Sequence, residues 1–225
     1  MRRRILLQWL SLLGGVCAGH GAQASAASDF QTAIIRDNFV TMRKLLQQGM
    51  DPNTVDERGR PALVKAMQLD SLRVAQELLS APGVRIDDAS PAGETALMHA
   101  CIKGHLHVVQ QLLAMGASVN QPGWTALHYV ASADHPHSLD IARLLLDHHA
   151  YIDAESPNKS TPLMLAAQYG SQAMVELLLD AGADVQLRNQ LGLTAVDFAR
   201  RSERQFLVTM LDRAYQATRR SKASW

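Results

Sequence analysis

One octet recurs along this chain and narrows its fold more than any other feature. Residues 93–100, 123–130, 159–166 and 192–199 nearly superpose. Residues 59–66 form a weaker copy, and 28–33 a degenerate first one. The small residues that close the copies are Ala33, Ala66, Ala100, Val130, Ala166 and Ala199, spaced 33, 34, 30, 36 and 33. A second landmark follows each of the first five copies: a Leu-Leu pair and then a residue suited to ending a helix, namely Gly49, Gly83, Gly116, His149 and Gly182. These terminators lie 34, 33, 33 and 33 apart. Three residues missing before Trp124 are therefore made up by three extra around Asp134–His137. A fixed period of this size marks a stack of supersecondary units, each unable to bury its apolar face alone.

Local chemistry says what the unit is. Thr95, Thr125, Thr161 and Thr194 each precede a short apolar run, where a hydroxyl caps a helix N-terminus. Ser28 is expected to do the same for the first unit. Pro162 suits a first helical turn. Leu97, Leu127 and Leu163 lie three residues before the small closing residue, one inward face of a helix. Val109, Leu112 and Leu113, and again Val175, Leu178 and Leu179, mark the buried stripe of a second helix, ended by Gly116 and Gly182 in the left-handed conformation. The segment Arg200–Arg213 is expected to be a capping helix, with Phe206, Leu207, Met210 and Leu211 inward and its arginines outward.

The Gly-x-Thr-x-Leu octet and the Leu-Leu-x-x-Gly-Ala-x-x-Asn ending at 112–120 resemble the ankyrin repeat, and Ala181–Val185 matches the same ending. The resemblance covers about residues 28–215. It implies an all-α solenoid of about six helix-turn-helix units with short loop or β-hairpin fingers, at 28–58, 59–92, 93–122, 123–158, 159–191 and 192–215, the first and last as caps. It implies a non-enzymatic module that binds a protein through its concave face and fingers. The variable positions of the repeat, expected to carry that contact, include Arg58, Arg60, Glu94, Lys103, Trp124, Tyr129, Asn158, Tyr169, Leu193 and Arg200. Aromatic and Arg side chains are the usual interface anchors, which singles out Trp124, Tyr129, Tyr169 and Arg60.

The N-terminus reads as an address. Arg2–Arg4, an apolar stretch from Ile5 to about Ala18, and small residues to Ala27 follow the order of a secretory signal peptide. Cleavage is expected after Ala24, or after Ala26, leaving residues 25–27 as a linker. The expected destination is the periplasm, with the extracellular space as the alternative. The apolar stretch falls short of the roughly 20 residues of a membrane span, so no stable insertion is expected once it is removed. The balance of 22 Lys and Arg against 21 Asp and Glu argues against nucleic acid as partner. A monomer is expected, with residues 216–225 as a flexible basic tail.

Other chemistry has thin support. Of two Cys, Cys17 lies in the leader. Cys101 sits beside Ala100, which predicts a buried inert thiol. No metalloprotease, nucleophile-elbow or phosphate-loop motif is present, so neither an enzyme nor a cofactor is expected. The insertion with His135 and His137 has a spacing compatible with metal ligation, which gives an alternative reading as a metal-binding or envelope-stress protein. A secreted effector that binds a host protein is a further alternative.

Overall fold

The computed structural model describes the backbone of residues 17–223. Its order is α1 (Cys17–Ile35), α2 (Phe39–Gln47), α3 (Ala62–Gln68), α4 (Leu72–Leu79), α5 (Ala96–Lys103), α6 (Leu106–Ala114), α7 (Ala126–Ala131), α8 (Ser138–Asp147), α9 (Pro162–Gln168), α10 (Gln172–Asp180), α11 (Ala195–Arg201) and α12 (Gln205–Ala223). The helices pair in sequence order, and each first helix packs on the first helices of its neighbours. This is the expected all-helical solenoid of six hairpins, without strands among the described residues. The leader before residue 17 lies outside them.

The octets explain the first helices. Thr95 and Thr161 accept the N–H of Met98 and Met164 at 3.4 Å, while the Met sulfurs sit 3.5 and 3.4 Å from the Thr N–H groups. In the last copy Asp197 takes the place of Met and accepts from both the N–H and the hydroxyl of Thr194 at 2.9 Å. The closing residues Ala66, Ala100, Val130, Ala166 and Ala199 are fully buried, so no larger side chain separates the packed helices. Leu78, Leu112, Leu145 and Leu178 are equally buried in the second helices. One continuous core of buried side chains runs from Phe30 to Leu211.

First helices end by a motif that the octets do not announce. Asp37, Asp70, Gly104 and Glu203 adopt φ of +48°, +57°, +76° and +57°. The next N–H, of Asn38, Ser71, His105 and Arg204, returns to the carbonyl of Ala33, Ala66, Ala100 and Ala199 at 2.9–3.0 Å. This is the Schellman closure of a helix. Second helices end at Gly49, Gly116 and Gly182, and His149 takes the same left-handed conformation at φ +63°.

Neighbouring units are tied by a periodic side chain. The side-chain oxygens of Asn53, Asp87, Asn120 and Asp153 accept the backbone N–H of Arg85, Ser118, Tyr151 and Asp184 at 2.7, 3.0, 2.8 and 3.0 Å. Asn53 and Asn120 also donate, to the carbonyls of Gly83 and His149, both at 2.9 Å. Four of the fingers close as small antiparallel turns: the N–H groups of Asp56, Ser90, Ser156 and Asn189 donate to the carbonyls of Arg60, Glu94, Ser160 and Leu193 at 2.9–3.0 Å.

The ends differ from the sequence reading. Ser28 lies inside α1 rather than at its N-cap, and residues 25–27 are helical. Small Ala and Ser residues without Pro carry the helix through this region. The capping segment is not one helix over Arg200–Arg213. Glu203 breaks it in the left-handed region, and α12 then continues past 215 to Ala223. The tail is helical because Gln, Ala, Arg and Lys are good helix formers and neither Gly nor Pro interrupts them. Phe206 points outward, 63% exposed, while Leu207, Val208 and Leu211 face the stack. The Glu203 break rotates α12, so its buried stripe starts one residue later than expected.

Candidate interaction surface

The residues that precede the small closing residues form a row across successive first helices, buried at Lys65 and His99 and half-buried from Tyr129 onward. From the second unit onward these positions are Lys65, His99, Tyr129, Leu165 and Phe198. The row thus turns from cationic to aromatic and apolar along the stack. Neighbours on it touch: the rings of His99 and Tyr129 meet edge to face at 6.2 Å between centroids.

Its N-terminal half is a hydrogen-bonded network that spans units one to four. Lys65 donates to Gln31 at 2.7 Å and lies 3.7 Å from Asp56. Arg60 holds Asp56 with Nε and Nη2 at 2.9 and 2.7 Å and reaches Gln68 with Nη1 at 2.9 Å. Partial burial works to raise the Asp56 carboxyl, but hydrogen bonds from the Arg60 side chain and from the N–H groups of Arg60 and Arg58 hold it down to about 2. Gln68 donates to Glu94 at 3.3 Å and lies 3.1 Å from His99 Nε2. Tyr129 donates to the other Glu94 oxygen at 3.0 Å. Burial depresses the His99 imidazole, opposed in part by Glu94, and burial followed by Glu94 raises the Tyr129 phenol.

Several expected contact residues are thus committed within the chain. Arg60, Glu94 and Tyr129 belong to this network. Lys103 donates to the Gln68 carbonyl at 2.8 Å and to Asp70 at 2.6 Å, and His105 meets the second Asp70 oxygen at 2.7 Å. Trp124 is half-buried, edge-on to His128 at 5.4 Å between centroids. It is therefore packed on its own unit rather than standing free. His128 itself is buried. The Thr125 N–H donates to its Nδ1 at 3.2 Å, and its Nε2 meets the Ser160 carbonyl at 3.0 Å. That geometry fixes the neutral Nε2–H tautomer, and burial lowers the pKa further.

The free positions lie elsewhere. Tyr169, at the end of α9, is 59% exposed. Arg58, Asn158 and Arg200 are exposed, and Leu193 is half-exposed. Arg200 reaches Asp197 at 3.1 Å. Asn158 spends its side-chain oxygen on Ser156 and on the Ser160 N–H within its own finger. Sequence reasoning missed Leu191, the most exposed large apolar side chain among the described residues at 75%, on the tip of the last finger. Its signal was an apolar residue at a turn position, Asn189-Gln190-Leu191-Gly192. That finger is braced by Gln190, whose N–H and side chain donate to Asn158 and Pro157 at 3.0 and 2.9 Å.

The structure does not bring His135 and His137 together. His135 points inward, with Nε2 3.0 Å from the Cys101 carbonyl and its ring against Gly104, while His137 is exposed near Asp140. Among the described residues, no three His, Cys, Asp or Glu side chains are gathered as an ion requires. The Cys101 thiol is fully buried, and burial pushes its pKa far up, which matches the expected inert thiol.

Comparison with known proteins agrees with the hairpin stack. A family model described as ankyrin repeats (3 copies) matches residues 71–156, 118–189 and 137–218. The chain belongs to the ankyrin-repeat family. Ankyrin repeats generally mediate protein–protein interaction, as scaffolds without catalysis of their own. The chain is 32% identical to human SH3 and multiple ankyrin repeat domains protein 2 over 68% of its length and 8% of the relative's. It is 37% identical to mouse ankyrin repeat and SAM domain-containing protein 6 over 65% and 13%. It is 30% identical to the bovine mitochondrial disaggregase over 72% and 24%. It therefore spans a quarter or less of these relatives.

Proposed function

We propose that this ankyrin stack is an exported, non-enzymatic scaffold that holds a protein partner on the C-terminal half of its concave face and on the last fingers. The observation that carries this reading is the exposure of Tyr169 and Leu191 in the half of the stack where the row ends in apolar residues, Leu165 and Phe198. Large exposed apolar and aromatic side chains on a rigid frame are the usual anchors of an interface. The N-terminal half contributes rigidity and, at Arg58, a free guanidinium. The periplasm is the proposed compartment. Cleavage after Ala24 leaves Phe30, Ala33 and Ile34, buried residues of α1, in the mature chain. The molecule is proposed to work as a monomer.

Two measurements test this. N-terminal sequencing of the protein from a periplasmic fraction should begin at Ser25 or Ala27; a chain retained whole in the cytosol rejects export. A photo-crosslinker at position 169 should trap a discrete partner, lost in the Leu191→Ser variant and absent with a crosslinker at position 47. Equal trapping at both positions rejects the proposed face.

A further inference from the structure

Charge is distributed unevenly along this near-neutral chain. Residues 200–222 carry seven Arg and Lys against two acidic residues, Glu203 and Asp212. Residues 5–199 carry twelve basic against nineteen acidic. The stack is therefore acidic over its body, with a cationic far end.

The cationic end also has the wrong length for a mere cap. Helices α4, α6, α8 and α10 have eight to ten residues, whereas α12 has 19, roughly 28 Å at 1.5 Å per residue. Among its described side chains the buried ones, Leu207, Val208 and Leu211, lie in its first seven positions, and Ala214 and Tyr215 are partly buried against the core. The helix continues to Ala223, and the sequence places Arg219, Arg220 and Lys222 on it. At the near end Phe206 is exposed, Arg213 is exposed about two helical turns further on, and among the described residues neither Arg201 nor Arg213 takes part in an ion pair. Capping the stack needs about ten residues and no such excess of charge.

We propose that this end of the molecule docks on an anionic lipid surface. A cluster of Arg and Lys on a helix with an exposed aromatic is the composition that adsorbs to acidic headgroups, each cation adding to the attraction. The polarised charge decides between lipid and nucleic acid. A plane meets only the tip of the stack and attracts it, while the acidic body is held away and orients the molecule end-on. A duplex long enough to engage the whole cap also runs along the acidic body and is repelled. Adsorption requires no spanning segment, and no helix among the described residues is long and apolar enough to cross a membrane. The inference is independent of the partner on the concave face, and end-on docking leaves that face open.

The test is co-sedimentation of the full chain with vesicles of phosphatidylcholine alone or with 30% phosphatidylglycerol. The comparison is with the Arg213→Glu, Arg219→Glu, Arg220→Glu triple variant and with Phe206→Ser. The N-terminal leader is common to all chains, so differences report the cap, and melting curves confirm that each variant folds. The expected result is tighter binding to the acidic vesicles, weakened at least tenfold by the triple variant and by 0.5 M salt, where screening acts over a few ångströms. Phe206→Ser should weaken it by a smaller factor. Equal binding by wild type and triple variant, or no preference for acidic vesicles, overturns the proposal. So does tighter binding to a 30-base-pair duplex than to the vesicles, which would assign the cap to nucleic acid.

Discussion

Asp153→Asn should stabilise this protein, and the reason can be worked from its own repeats. Asp153 occupies the linking position that Asn53 and Asn120 hold in the first and third units. All three accept a backbone N–H from the next unit, but only the Asn residues also donate, at 2.9 Å, to the carbonyls of Gly83 and His149. The matching carbonyl for position 153 belongs to Gly182. Asp153 has no proton to offer it, and its carboxyl is pushed up by burial and by the charge of Asp184, against the Asp184 N–H bond. A neutral hydrogen bond contributes about 0.5–1.5 kcal/mol net, and relief of the like-charge contact adds about 0.2–1 kcal/mol at a partly exposed site. The gain should be about 1–2 kcal/mol, or about 3–6 °C in Tm for a chain of this size. Circular-dichroism melts at pH 7 measure it. The sign with pH follows from linkage. A carboxyl with a raised folded pKa costs stability while ionised, and the cost vanishes as pH falls through that pKa. The advantage of the variant should therefore begin to shrink at a pH above the usual carboxylate range and be gone once the pH has fallen below that range. Asn120→Asp makes the reverse change and should destabilise at pH 7. A lower Tm for Asp153→Asn, or a higher one for Asn120→Asp, refutes the reasoning.

Leu112→Ala and Leu178→Ala empty fully buried sites and should each cost about 2–5 kcal/mol in denaturant titrations. Gly104→Ala should cost more than Gly116→Ala. Both positions have positive φ, but a Cβ at 104 would stand 2.6 Å from His135 Nδ1, and at 116 it meets nothing within 4 Å. The two midpoints, compared by chemical denaturation, check this. Cys101 should label only at the rate of unfolding, because the thiol is buried and its pKa raised; rapid labelling of native protein by a thiol reagent would contradict it. His99 and His128 have depressed imidazole pKa values. Their contribution to stability is whole above the ordinary imidazole range and is lost as pH falls through the folded values. Melts between pH 7.5 and 5 should show the loss, and His128→Met, which copies the residue at 98 and 164, should reduce it.

The octets made the helical hairpins, their order and the buried Leu and Ala positions legible, because these depend on contacts that every unit repeats. The ends were not legible, because there the neighbour is missing. Arg200 to Arg213 has the periodicity of one helix, and only the backbone at Glu203 reveals the break. The contact surface was legible as positions but not as free side chains. Arg60, Glu94, Lys103 and Tyr129 occupy the variable sites that the family leaves for partners, yet each is tied to residues outside its own helix. Trp124 stands on a shortened finger and leans on His128. No pattern within one unit states which charge a side chain 30 residues away will neutralise. Leu191 and Tyr169 stand exposed at a finger tip and a helix end.

The linking oxygens at 53, 87, 120 and 153 mean that each module brings both plug and socket: a side chain for its successor and an N–H for its predecessor. A tandem copy of one module would arrive ready to join, without a redesigned seam. Growth or loss by whole modules is then a small step for such a chain, while a slip of one residue leaves every later joint misaligned.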